Sequence, residues 1–554
     1  MTCEEMRKRR ENNTVRLRKE KREDELYKRR NIRLGDEQSI DDVDLEENFL
    51  EVFSEDNLKD LFSDEVGRQE RAVAAFNRVL NIDFFVDKRN APIEETVSLG
   101  LVHRFVEFVA SGATAQLRRD AVSVLGVVAA GSSVHTDSVV QTGIIPTLVG
   151  LLSSSDTELR DRSVLAIGNI AGDKSSNRDL CIENGAIQAL IQVLNQTKTS
   201  DEVVNAVWAL SNLCSGKSPP PDFDQVALLC LYGKLQPLLI LNIMTRVSVM
   251  LPALAKQLFS QNQSVLAFAC RAIGFLSDGP NEQIEFVVQS GVVRRIVELL
   301  MHPNFRVSNS ALKAVANIVS GDDRQTQAVL SCSALSCLQK LLVTGKECTK
   351  REVCYTLSNI FAGNRKQIQA VIDAHILPPL IQVLSSGDFR TRKEACWAIS
   401  NALKGGSGTQ VAIIVREGAV LPLCDLLTVM DPGIVKIALC ALSTILKHGE
   451  NIKDKTKTGI NPYCVIIEEA RGVDKLEFLQ QSEMLEICVQ AYDLYDAYFA
   501  HQDTITGDGC DNCVVHSPDE KDLIFVACAH SSIPLVLVDS FLYTIFWLIA
   551  GYFG

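Results

Sequence analysis

Asn169, Asn212, Asn317, Asn359 and Asn401 recur along this 554-residue chain at intervals of 43, 105, 42 and 42. Four residues before each stands a second slot, holding Leu165, Trp208, Lys313, Tyr355 and Trp397. The period extends to Ser123 with Val127 and to Arg271 with Phe275. Residues i and i+4 share one face of a helix, so each pair sets a carboxamide beside a wall residue. A carboxamide carries both donor and acceptor and can hold an extended peptide by its backbone without reading its sequence. Indoles one turn away make walls for Lys or Arg stems, each worth roughly 0.5–2 kcal/mol of cation–π attraction. A lone asparagine of this kind reads as a cap and a lone Trp as core. Five in register beside aromatics read as a binding surface.

The elements that position this ladder must repeat with the same period. Gly100, Gly143, Gly185, Gly291 and Gly418 each precede an amphipathic apolar run, and Ser333 and His375 fill the same slot without glycine. Taken in chain order, the seven slots are spaced 43, 42, 106, 42, 42 and 43. The long interval in each series is two periods with an excess of about 21 residues, so both place one insertion between Asn212 and Gly291. Leu228–Ser248, apolar and unlike the rest of the repeat, is that insertion; a retained in-frame intron would produce such a segment. A loop of this kind inside a compact unit counts against its being ordered there. A period near 42 with helical patterning is the signature of armadillo-type units. The expected fold is all-α: an armadillo-repeat, right-handed superhelical solenoid with a flexible basic N-terminal arm.

Composition agrees. The chain is 46% hydrophobic but only 6% aromatic, which predicts a core of Leu, Val, Ile and Ala. Its 17 cysteines are too sparse for a disulfide scaffold; Cys270, Cys354, Cys396 and Cys440 sit singly in apolar helical patterns and read as buried thiols. Met1 opens a charged stretch with no apolar h-region, which argues for a reducing cytoplasmic or nuclear setting. The net charge of −13 conceals a contrast: Arg7–Arg33 carries +8, while Leu34–Glu65 carries −12. The expected organisation is a basic arm at 1–33, an acidic linker at 34–65, and about ten repeats over 66–500, interrupted at 228–248. An atypical tail at 501–554 follows, with an apolar stretch at 533–553. That stretch is just long enough to span a bilayer, but Asp539 within it counts against a membrane anchor. Cys510-x-x-Cys513 lacks the second pair a zinc site needs. One aromatic, Tyr27, and no Gly-rich interleaving give the arm no nucleic-acid signature.

The arm Arg7-Lys8-Arg9-Arg10, Arg16-Leu-Arg18-Lys19-Glu-Lys21-Arg22 and Leu26-Tyr-Lys28-Arg29-Arg30 resembles the importin-β-binding domain of the importin-α family. Gly168-Asn-Ile-Ala-Gly-Asp173, Trp208-Ala-Leu-Ser-Asn-Leu213, Ser277-Asp-Gly-Pro-Asn-Glu282 and Trp397-Ala-Ile-Ser-Asn401 resemble its armadillo repeats. The resemblance implies a nuclear import adaptor that shuttles between cytoplasm and nucleus. It would bind Lys/Arg-rich nuclear localisation signals in the groove and importin-β through the arm. It further implies autoinhibition, with Lys28-Arg29-Arg30 in the groove until importin-β removes it. A major signal site maps to Gly131, Thr136, Asn169, Asp173, Trp208 and Asn212. A minor site maps to Asn317, Val319, Thr326, Tyr355, Asn359, Glu394, Trp397 and Asn401. Glu468-Glu-Ala-Arg-Gly-Val-Asp-Lys-Leu-Glu477 resembles the last repeat, which in the family contacts the recycling CAS-type exportin with Ran-GTP; Ser482-Glu-Met departs from the pattern there.

Other departures bear on affinity. Ser123 and Leu165 stand where the family has Trp, Val127 where it has Asn, and Phe268 and Arg271 replace an acidic residue and a Trp. Two lost walls remove about 1–4 kcal/mol, or roughly one to three decades of affinity. The expectation is weak major-site binding and greater reliance on the minor site. No P-loop, nucleophile elbow or metal-spaced cluster is present in the sequence, so neither an enzyme, a cofactor nor a metal site is expected. Two alternatives stand beside the adaptor: a catenin-like armadillo scaffold, and a specialised importin-α paralogue with weakened cargo binding.

Overall fold

The structure, a computed structural model, describes residues 52–86, 92–197, 199–215, 250–457 and 459–500. Every regular element among them is a helix. Eight complete three-helix units run through the chain, joined by the last two helices of a ninth, 250–257 and Gln263–Leu276. Glu55–Leu61 and Val66–Val86 precede them. Glu55–Leu61 comes from the segment read as acidic linker, yet Leu61 is fully buried.

The third helices of the first eight units in chain order are α1 (Ala115–Val128), α2 (Thr157–Ala171), α3 (Ser200–Leu213), α4 (Gln263–Leu276), α5 (Phe305–Ile318), α6 (Glu347–Phe361), α7 (Phe389–Gly405) and α8 (Pro432–Thr456), and Leu485–Tyr498 is that of the last. Each packs on the next, making one layer, and the shorter first and second helices pack against them. Leu, Val, Ile and Ala form a continuous core from Val52 to Phe499, as the low aromatic content predicted. α3 packs directly on α4, and Asn262 Nδ2 donates to Ser200 Oγ at 2.7 Å. The solenoid is therefore continuous across the point where the period slips; the predicted insertion, 228–248, lies outside the described residues. So do the arm, most of the linker and the tail.

The glycine slot has a physical cause. Gly100, Gly143, Gly185, Gly291 and Gly418 all have positive φ, between 70° and 91°, where the first helix of a unit turns into the second. Ser333 and His375 adopt the same left-handed conformation at φ 63° and 53°, and so does Arg471 at 53°. For an L-residue with a side chain that conformation costs roughly 1–2 kcal/mol. The third helices then begin at polar caps: Thr114, Asp156, Asn262, Asn304, Asp388 and Asp431 each accept an N–H of the first turn.

No cysteine among the described residues is in a disulfide. Cys270, Cys354 and Cys396 are buried as expected, but Cys440 is exposed, because its position on α8 turns away from the neighbouring helices. Apolar neighbours in sequence did not reveal that.

Candidate peptide-binding groove

All five ladder asparagines lie on third helices: Asn169 on α2, Asn212 on α3, Asn317 on α5, Asn359 on α6 and Asn401 on α7. Four of them bond the preceding unit. Asn169 Nδ2 donates to the Gly126 carbonyl at 2.9 Å, Asn212 to Gly168 at 3.0 Å, Asn317 to Gly274 at 2.8 Å and Asn401 to Ser358 at 2.9 Å. An amide nitrogen has two hydrogens, and this bond uses one of them to tie each unit to the one before. Asn359 differs: neither its Nδ2 nor its Oδ1 has a hydrogen-bond partner, although the residue is only 2% exposed. Asn169 Oδ1 is buried without a partner as well.

The acceptors, Gly126, Gly168, Gly274 and Ser358, are small residues one position before a ladder slot. A Cβ on Gly126 would meet Ala166, and one on Gly274 would meet Ala314, each at an ordinary packing distance of 3.6 Å; only at Gly168 would it collide, with the Trp208 ring. The close approach of α1 to α2 and of α4 to α5 brings carbonyl and amide together. Gly, Ala or Ser one position before each ladder slot is a signal readable in the sequence.

Two buried threonines repeat the same local chemistry. Thr136, fully buried, sets its Oγ1 3.0 Å from the Ala129 carbonyl, and Thr326, also fully buried, sets its own 3.3 Å from that of Val319. On the neighbouring unit Asp173, 1% exposed, accepts from Ser133 Oγ at 2.7 Å and from Asn177 Nδ2 at 3.4 Å. Its neighbour Lys174 is engaged elsewhere, 2.6 Å from Asp137. The Lys174 ammonium, helped by Asn177, holds the Asp137 carboxyl below its ordinary value against the effect of burial. A hydrogen-bonded carboxylate at Asp173 is suited to a ligand ammonium. Gly131 stands against His135, whose Nδ1 a Cβ there would meet, and His135 closes the capping box of Ser132.

The walls are unequal. Trp397 and Glu394 on α7 are half-buried, as is Asn401. Tyr355 on α6 is 4% exposed. Trp208 is 1% exposed, its ring laid over Gly168. A cargo stem could use that indole only after it turns outward. At the departures, Ser123 Oγ accepts from Asn81 Nδ2 at 3.3 Å, Leu165 is half-buried, and the Arg271 guanidinium lies 5.4 Å over the Phe275 ring. Arg271 therefore brings a cation to this slot of the ladder.

The armadillo/beta-catenin-like repeat family matches residues 132–172, 174–215, 280–320, 364–404 and 409–447, and the atypical armadillo repeat matches 461–509. The importin beta binding domain matches residues 1–74. Importin subunit alpha-B of Dictyostelium discoideum is 48% identical over 479 residues, 86% of this chain and 87% of that protein. Importin subunit alpha-2 of Arabidopsis thaliana is 42% identical over 523 residues, 91% of each. The chain belongs to the importin-α family. The crystal structure of an engineered protein, 26% identical, matches 79% of this importin-α and 97% of its own chain with a TM-score of 0.66. Within this importin-α, arm residues Arg7 to Arg30 lie outside the described residues, while both groups of groove residues lie on or beside the packed third helices.

Proposed function

We propose that this nuclear import adaptor holds Lys/Arg-rich localisation signals against α2, α3, α5, α6 and α7, and depends mainly on the half of the groove around α6 and α7. Asp173 and Thr136 form the pocket for one lysine; Asn317, Asn359 and Asn401 hold peptide backbone; Trp397 and Glu394 receive a second basic cluster. The carrying observation is the pairing of an importin beta binding domain at 1–74 with a ladder whose Asn359 amide is buried and unpartnered. A buried unsatisfied carboxamide costs about 1–3 kcal/mol, which a bound peptide backbone relieves. Lys28-Arg29-Arg30 competes for the same groove until importin-β takes the arm. The adaptor then shuttles between cytoplasm and nucleus, and the 468–477 region meets a CAS-type exportin with Ran-GTP on the return. Neither step involves enzymatic chemistry.

Pull-down of importin-β by the full chain, and not by a chain lacking residues 1–66, is the expected result; capture by neither would favour a catenin-like scaffold. Calorimetry with monopartite and bipartite signal peptides tests the balance of the two sites. Nanomolar monopartite binding through the Asp173 site would overturn the weak-major-site reading.

A further inference from the structure

Phe259, Met301 and Val343 stand 42 residues apart, at the same place in three consecutive units, where the second helix gives way to the third. They are exposed by 66%, 44% and 61%. Phe305, at the start of α5, is 42% exposed. Single exposed apolar residues are ordinary, but a register of them along one edge marks an interaction site. Adjacent packed helices stand roughly 8–10 Å apart, and seven residues of α-helix rise about 10.5 Å. A helix laid along this edge with an apolar residue at every seventh position meets all three side chains.

The charge around the stripe selects the partner. The Arg295 guanidinium lies 5.1 Å over the Phe259 ring and donates to the Leu258 carbonyl at 3.0 Å, which ties one unit to the next. Lys346 Nζ lies 5.3 Å over the Phe305 ring. Lys256 and Lys340, both exposed, stand one turn ahead of Phe259 and Val343. The carboxylates close by are paired, Glu298 with Arg295 and Glu347 with Lys350, each at 3.0 Å. The edge is basic where the groove at Asp173 and Glu394 is acidic, so the two surfaces take ligands of opposite sign. We propose that this edge docks an acidic amphipathic helix of a partner protein, bearing apolar residues at heptad spacing.

The test uses the full chain and a labelled three-heptad peptide (about 21 residues), Glu-rich with Leu at one position of each heptad. The comparison is the triple variant Phe259→Ser, Met301→Ser, Val343→Ser, whose exposed sites leave the fold intact; unchanged circular dichroism and unchanged binding of a Lys/Arg-rich signal peptide verify this. Binding of the acidic peptide should fall about tenfold or more in the triple variant, and equally when the peptide's Leu residues become Ser. Equal binding by both proteins, which the +8 arm would give by charge alone, overturns the proposal. So does a dimer in sedimentation velocity that the triple variant abolishes, since a second copy would then cover the edge. Failure of both proteins to bind the signal peptide would count against the groove reading only.

Discussion

The indole of Trp208 on α3 rests on the backbone of Gly168 on α2, leaving no room for a Cβ between them. Gly168 is also the carbonyl acceptor for Asn212, one turn beyond Trp208. One glycine thus sets the position of a wall residue and of a ladder residue together. Gly168→Ala should force the indole out of its place, costing about 1–3 kcal/mol as overpacking does. A red shift of Trp emission with a lowered urea midpoint is the expected result, and an unchanged spectrum would refute it.

The asparagines allow binding and stability to be separated. Asn317→Ala removes a hydrogen bond between α5 and α4, so it should lower stability by about 1 kcal/mol. Asn359→Ala removes no bond, because its amide has no partner, and should leave the thermal midpoint unchanged or raised while weakening a bipartite signal peptide. Equal loss of stability in the two variants would show that Asn359 is structural.

The left-handed slots give a stability prediction free of binding. Ser333→Gly and His375→Gly each relieve a side chain at positive φ, and should stabilise by roughly 1 kcal/mol. Gly143→Ala, with open space around its Cβ position but φ 72°, should destabilise by a similar amount. Chemical denaturation of the three variants decides the matter; a His375→Gly protein less stable than its parent would count against the argument.

Most of the solenoid was legible because each unit solves the same local problem with the same residue types. The period, the glycine slot, the continuity across the slip and the location of the ladder all follow from spacing. What spacing could not supply was orientation within a helix. Trp208 and Trp397 occupy equivalent slots, yet Trp208 is buried where Gly168 makes room, while Trp397, whose neighbouring unit carries Ser358 in place of that glycine, stays half-buried. Cys440 likewise has apolar neighbours in sequence and an exposed place on α8. These outcomes depend on the neighbouring unit, one period away.

Thiol chemistry should divide along burial. Burial pushes Cys181, Cys214 and Cys270 up to about 12, and the thiolate is the reactive form. Near pH 8, a thiol reagent followed by peptide mapping should label the exposed Cys348 and Cys440 in the folded protein and the buried three only after denaturation. Rapid native labelling of Cys214 would show that α3 and α4 open where the repeat slips.

Acid stability should carry the mark of Asp431, the cap of α8. Burial alone would push its carboxyl up, but Lys393 at 2.5 Å and the Ile434 and Gly433 N–H groups hold it below its ordinary value. A depressed carboxyl contributes stability that is complete above its unfolded value, near 3.8, and is lost as pH falls through the lower folded value. Lys393→Met removes part of that contribution. The gap in denaturation midpoint between parent and variant should therefore stay constant from neutral pH to about 5 and close below about 4. A gap that persists in strong acid would mean that Lys393 acts through the packing of its alkyl stem on α7, and that its charge contributes little.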